Sequence, residues 1–155
     1  MYSLLFIFLV SMLPIAELRG GLPLGISLGV FPLQAYLVSV AGNIAPILPL
    51  LLLLKYGIRL LRKNRWMGSV LNRWESRIER RREMVSRYGL WGIVLLVAIP
   101  LPITGAWTAA LISSVLSIRI RYAFLAICIG VCIAGAIVLS ATIGIISVRR
   151  IIGGM

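Results

Sequence analysis

Apolar residues run along this chain in long blocks, and polar residues fall between the blocks rather than alternating within them. Residues 2–13 are almost wholly apolar. A break follows at Pro14-Ile15-Ala16-Glu17-Leu18-Arg19-Gly20-Gly21-Leu22-Pro23, after which apolar sequence resumes through Leu24–Phe31. Pro32–Leu54 is a longer block, interrupted at Gly42-Asn43 and Pro46. Lys55–Tyr88 is polar and basic. Leu90–Ile99 is short and apolar, Pro100-Leu101-Pro102-Ile103-Thr104-Gly105-Ala106-Trp107-Thr108 breaks it, and Ala109–Ile118 resumes. Tyr122–Ser147 is a second long block. Blocks of this kind predict helices, with proline removing a helix donor and glycine permitting other backbone shapes at the breaks.

Length then separates two kinds of helix. Twelve helical residues reach about 18 Å, short of a hydrocarbon core of about 30 Å. The short segments are therefore expected to enter partway, break and return, which is tolerated where protein or a wet cavity covers the backbone. Pro32–Leu54 and Tyr122–Ser147 are long enough to cross. The rival layout makes each short segment a tilted complete span and accommodates the prolines less well. A cleaved secretory leader is disfavoured, because no Lys or Arg precedes the first block and apolar sequence continues past Pro14.

The same order of parts occurs twice, over 2–54 and 90–147. Pro14 and Pro100 are 86 apart, Gly42 and Gly130 are 88 apart, and Gly57 and Gly144 are 87 apart. The expected fold is an all-α polytopic membrane protein: an inverted repeat of re-entrant helical hairpin plus transmembrane helix, with a cytoplasmic amphipathic helix. It forms a single membrane domain over 1–155, with the first repeat at 1–54, the basic segment at 55–88 and the second repeat at 89–155. Inverted repeats with paired broken helices are a recurrent transporter design.

Composition agrees with membrane residence and narrows the chemistry. The 155 residues are 61% hydrophobic, above the usual half for a soluble domain, and mean hydropathy is +1.05. Net charge is +12, from 16 Lys and Arg against 4 Glu. Eleven of the basic residues and three of the Glu lie in Lys55–Tyr88. By the positive-inside rule that segment is expected on the cytoplasmic side, and the expected location is a prokaryotic plasma membrane. Met67, Leu71, Trp74, Ile78 and Val85 recur there at helical spacing, so anionic lipid is the expected partner of Arg73, Arg77, Arg80 and Arg81, and nucleic acid is not. With no His and no Asp, a His-based triad and a usual zinc site are excluded. No enzyme and no cofactor is expected. Cys128 and Cys132, at i, i+4, read as small packing residues.

Glu17 is the one carboxylate in an apolar setting. The expected substrate and ion site joins Glu17, Arg19, Gly20 and Gly21 at the first break to Thr104, Gly105, Trp107 and Thr108 at the second. Pro14, Pro23, Pro100 and Pro102 are expected to break the helices. Broken helices present free N–H groups to an anion, Arg19 offers a fork that matches phosphate or carboxylate, and Glu17 can exchange a proton. Trp107 offers a flat face to an apolar or cationic group. Asn43 either bonds a neighbouring helix or faces the cavity at the break. The structural alternative is that Glu17 and Arg19 only hold the hairpin together.

The blocks Leu13–Pro23, Gly42-Asn43, Lys55-Tyr56-Gly57 and Ile99–Thr108 resemble the family of small multidrug export proteins. That family is similar in layout to the DedA (SNARE-associated, VTT-domain) superfamily. The resemblance implies a small polytopic protein with re-entrant hairpins, and a superfamily role in moving lipid-phosphate carriers or scrambling lipids with proton coupling. The expected function is thus a proton-coupled transporter or flippase for a lipid-phosphate or drug-like substrate. A homodimer is expected to cover the hairpins. A non-transporting membrane scaffold is the alternative.

Overall fold

The computed structural model describes residues 2–61, 88–99, 105–116 and 118–153. Pro100, Pro102, Thr104 and the segment carrying Arg73, Arg77, Arg80 and Arg81 lie outside the described residues. The described residues are helical, without strands: α1 Tyr2–Met12, α2 Glu17–Ser27, α3 Pro32–Ile44, α4 Ile47–Leu61, α5 Leu90–Ala98, α6 Ala106–Val115 and α7 Ile120–Gly153. Two stretches are long and apolar enough to cross a membrane, Pro32–Gly57 (α3 and α4, through a turn at Ala45-Pro46) and Ile120–Val148. Tyr2–Met12 and Ala106–Val115 are apolar but too short to do so.

The breaks have local causes. Pro14 ends α1, and the chain turns through Leu13–Ala16 before Glu17 starts α2. Glu17 N–H donates to the Leu13 carbonyl at 2.9 Å and Gly20 N–H to that of Ala16 at 2.8 Å. The far end of α2 stops at Gly29, where φ is +80°. There Val30 N–H reaches back to the Gly25 carbonyl and Gly29 N–H to that of Ile26, both at 3.0 Å, which closes a glycine cap. Pro32 then opens α3, where its missing N–H costs nothing. One expectation is corrected. Pro23 does not break the chain but sits inside α2. A single lost backbone bond is tolerated in apolar surroundings when neighbouring helices and local adjustment satisfy the freed carbonyl.

Contacts divide the chain into two units, 1–45 with 131–155, and 46–130. In the first, α1, α2 and α3 pack on one another. A Cβ on Gly21 would overlap Ser11 Oγ, and one on Gly25 would stand 2.7 Å from Ile7 Cδ1 and 3.1 Å from Ala35 Cβ. As the contact moves from 7 to 11 on α1 it moves from 25 to 21 on α2, so the two helices form an antiparallel hairpin. Gly42 of α3 closes on Phe8, where a Cβ would lie 2.5 Å from the carbonyl oxygen. Lipid tails give helices no hydrophobic reason to associate, so close approach over small residues carries the packing. Later in α7, Gly135 leaves room for the Tyr36 ring and for Leu18, and Tyr36 Oη donates to the Cys132 carbonyl at 3.1 Å.

In the second unit α6 packs against α4 and α5. Ile47, Leu51, Ile93, Val97, Ala106, Ala109, Ala110 and Ile112 are buried there. Gly130 closes on α5 as Gly42 closes on α1: a Cβ would stand 2.6 Å from Val97 Cβ and 3.0 Å from the Val94 carbonyl oxygen.

The burial pattern recurs along the chain. Buried Ile7 and Ser11 of α1, shifted by 86, become buried Ile93 and Val97. Buried 17, 18, 21, 22 and 25 of α2, shifted by 88, become buried 105, 106, 109, 110 and 113. Buried 35, 39, 42 and 43 of α3 become buried 123, 127, 130 and 131 by the same shift. The bond that ends α2, Val30 N–H to the Gly25 carbonyl, recurs as Ile118 N–H to that of Ser113.

Candidate functional site

The first break presents the most constrained residue of the described chain. Glu17 is 8% exposed and stands at φ +47°, the sole non-glycine residue at positive φ among those described. A left-handed backbone costs an L-residue about 1–2 kcal/mol. Strain of this kind gathers at functional sites, where the surrounding structure over-determines it. The half-buried Arg19 lies within reach of the Glu17 charge. Gly20 is half-buried, and a Cβ there would meet that of Ala16 at 3.0 Å. Gly21 is buried against α1.

Asn43 joins this region through α1. Ser11 meets Gly21, which lies four residues after Glu17 on α2, and Gly42, which precedes Asn43 on α3. Asn43 is 4% exposed and, among the described residues, its Oδ1 has no hydrogen-bond partner.

Two residues that sequence reasoning did not single out belong to the same core. Ser11 and Ser39 are fully buried, and the hydroxyl oxygen of each lacks a partner among the described residues. A serine in an apolar helix reads as filler because its hydroxyl can bond the carbonyl one turn back. Ser113, Ser114, Ser140 and Ser147 do so, at 2.7 to 2.9 Å. Ser11 and Ser39 do not, and only the tertiary structure distinguishes them.

The second unit holds the other described residues of the expected site. Gly105 is buried in extended backbone, and its carbonyl accepts from Ala109 N–H at 3.0 Å. Trp107 is half-buried, and its indole N–H is enclosed without a partner. Thr108 is half-buried. Both breaks thus begin a helix, but their chemistry differs: Glu17 and Arg19 in the first correspond by the shift of 88 to Gly105 and Trp107 in the second.

The family model described as "Putative small multi-drug export protein" matches residues 17–137 of the chain. Neither the curated proteins nor the solved structures give a match.

Proposed function

The chain belongs to this family of small multi-drug export proteins, and from that premise we propose that it is a proton-coupled membrane transporter with Glu17 as the coupling group. Its substrate is an anionic or amphipathic molecule, a lipid phosphate or a drug-like compound. The observation that carries the reading is the burial of Glu17 at positive φ in the break between two short helices. A buried carboxylate in an apolar protein is costly and marks ion or proton paths. Arg19 supplies the positive charge and fork for an anionic headgroup. In this proposal both hairpins are re-entrant, the repeat is inverted, and the two breaks open alternately to opposite faces of the membrane. The recurrence of burial at shifts of 86 and 88 supports the repeat.

The test is flux into liposomes across a pH gradient, with a polyprenyl phosphate and a lipophilic cation as substrates. Wild type should move one of them, and Glu17→Gln should fold but lose dependence on the gradient. If wild type moves neither and Glu17→Gln only lowers thermal stability, Glu17 is structural and the protein is a scaffold.

A further inference from the structure

We propose that α1, α2 and α3 enclose a site for a small, dehydrated monovalent cation of the sodium class, liganded by Ser11 Oγ, Ser39 Oγ and Asn43 Oδ1 beside the Glu17 carboxylate. Contacts through Ser11 bring the groups together. A Cβ on Gly21 would overlap Ser11 Oγ, and one on Gly42 would lie 3.0 Å from Ser11 Cβ, so Ser11, Gly21 and Gly42 share one layer of the three helices. Asn43 follows Gly42, and Ser39 and Asn43 lie at i, i+4 on the buried face of α3. Glu17 precedes Gly21 by four residues, about 6 Å along the helix, so oxygens from the three helices can face one small ion.

The donor set selects the ion. All four groups offer oxygen, and none offers the nitrogen or sulfur that transition metals favour. One carboxylate among neutral oxygens matches a single positive charge better than two. Arg19, two residues along, brings a positive charge of its own, which disfavours a divalent ion further. The layer is also cramped, with Ser11 Oγ where a Cβ of Gly21 would be and the Phe8 carbonyl against Gly42. A small ion is preferred over potassium for that reason.

Packing does not account for the polar atoms. By the shifts of 86 and 88, Ser11, Ser39 and Asn43 correspond to Val97, Ile127 and Val131, all buried. Aliphatic residues therefore suffice to fill the matching positions, with Gly130 closing on Val94 and Val97 as Gly42 closes on Phe8 and Ser11. A buried oxygen without a partner is destabilising. All three belong to the first set of helices, and Ser11 and Ser39 forgo the local carbonyls that Ser113 and Ser140 use. A cation that accepts all three lone pairs removes that cost.

This inference does not depend on the transport reading. The full chain in nanodiscs is titrated with 22Na+ at constant ionic strength, with choline or potassium as the balancing ion, and thermal unfolding is followed in the same media. Saturable sodium binding is expected, with unfolding shifted upward by sodium and less by potassium. Ser39→Ala and Asn43→Val should unfold in choline at the wild-type temperature or higher and lose at least tenfold in sodium affinity. Ser113→Ala, whose hydroxyl is bonded within its own helix, should bind sodium as wild type does. Absence of sodium binding, an equal response to all three ions, or full sodium affinity in both Ser39→Ala and Asn43→Val overturns the proposal. Sodium binding by a protein that moves no substrate would leave it intact and remove only the transport reading.

Discussion

At the scale of single residues, Glu17 combines two costs that a merely structural position would avoid. Its carboxylate is buried and its backbone is left-handed. The two costs are separable by comparing substitutions that both remove the carboxylate. Glu17→Ala keeps a Cβ at φ +47°, whereas Glu17→Gly relieves it. Glu17→Gly should therefore be the more stable of the pair by about 1 kcal/mol, read from denaturant unfolding in detergent. Equal stability would mean that the backbone relaxes when the carboxylate is gone, so that the carboxylate's contacts impose the strain. Tyr36 makes a simpler case. Tyr36→Phe removes the hydroxyl bond to the Cys132 carbonyl while keeping the ring against Gly135. The expected loss is about 1 kcal/mol, the net worth of one such bond.

At the scale of elements, glycines divide by what a Cβ would meet. Gly42 faces the Phe8 carbonyl and Gly130 faces Val97, at distances real Cβ contacts essentially never show. Gly57 and Gly144 face open space. Gly42→Ala and Gly130→Ala should each destabilise by about 1–3 kcal/mol, the usual cost of overpacking. Gly57→Ala and Gly144→Ala lie within helices and should be neutral or stabilising by up to about 1 kcal/mol. Melting temperatures of the four variants in one detergent decide this. Loss at Gly57 or Gly144 would point to a partner surface at those positions. The hairpin itself depends on Gly21 and Gly25, whose missing side chains let α2 lie on Ser11 and Ile7. An alanine at either would push the two short helices apart.

At the scale of the whole molecule, apolar side chains remain uncovered along the helices. Leu125, Ile129, Ile133 and Ile137 of α7 are all exposed and recur every four residues. Tyr2, Leu5, Phe6 and Leu9 are exposed on α1 at spacings of three and four residues. Stripes of this kind suit a lipid solvent, not water. Trp91 is 70% exposed, whereas Trp107 has its indole N–H enclosed. In single-tryptophan variants reconstituted with brominated lipid, Trp91 should be quenched strongly and Trp107 weakly. The reverse order would mean that the α6 face is the one turned to lipid.

The sequence determined the helical class, the short and long helices and the site of the first break. Blocks of apolar residues and a proline act through local sterics and length, which need no partner. The 86- and 88-residue spacings of Pro14 and Pro100 and of Gly42 and Gly130 were legible too, and the burial pattern follows the same shifts. Other features came only from the folded chain. Pro23 was absorbed into α2 because neighbouring helices can satisfy what a proline frees. The positive φ of Glu17 is a property of the folded chain that no sequence pattern announced. The two units also cut across the halves 1–54 and 89–155, taking 46–61 with the second and 131–153 with the first. Each of the long apolar stretches Pro32–Gly57 and Ile120–Val148 runs from one unit into the other, so neither unit closes within one half of the sequence. Ser11 and Ser39 show the limit most plainly. Whether a buried hydroxyl bonds its own helix or stays unpaired in a core depends on what the neighbouring helices bring to it, which no local pattern encodes.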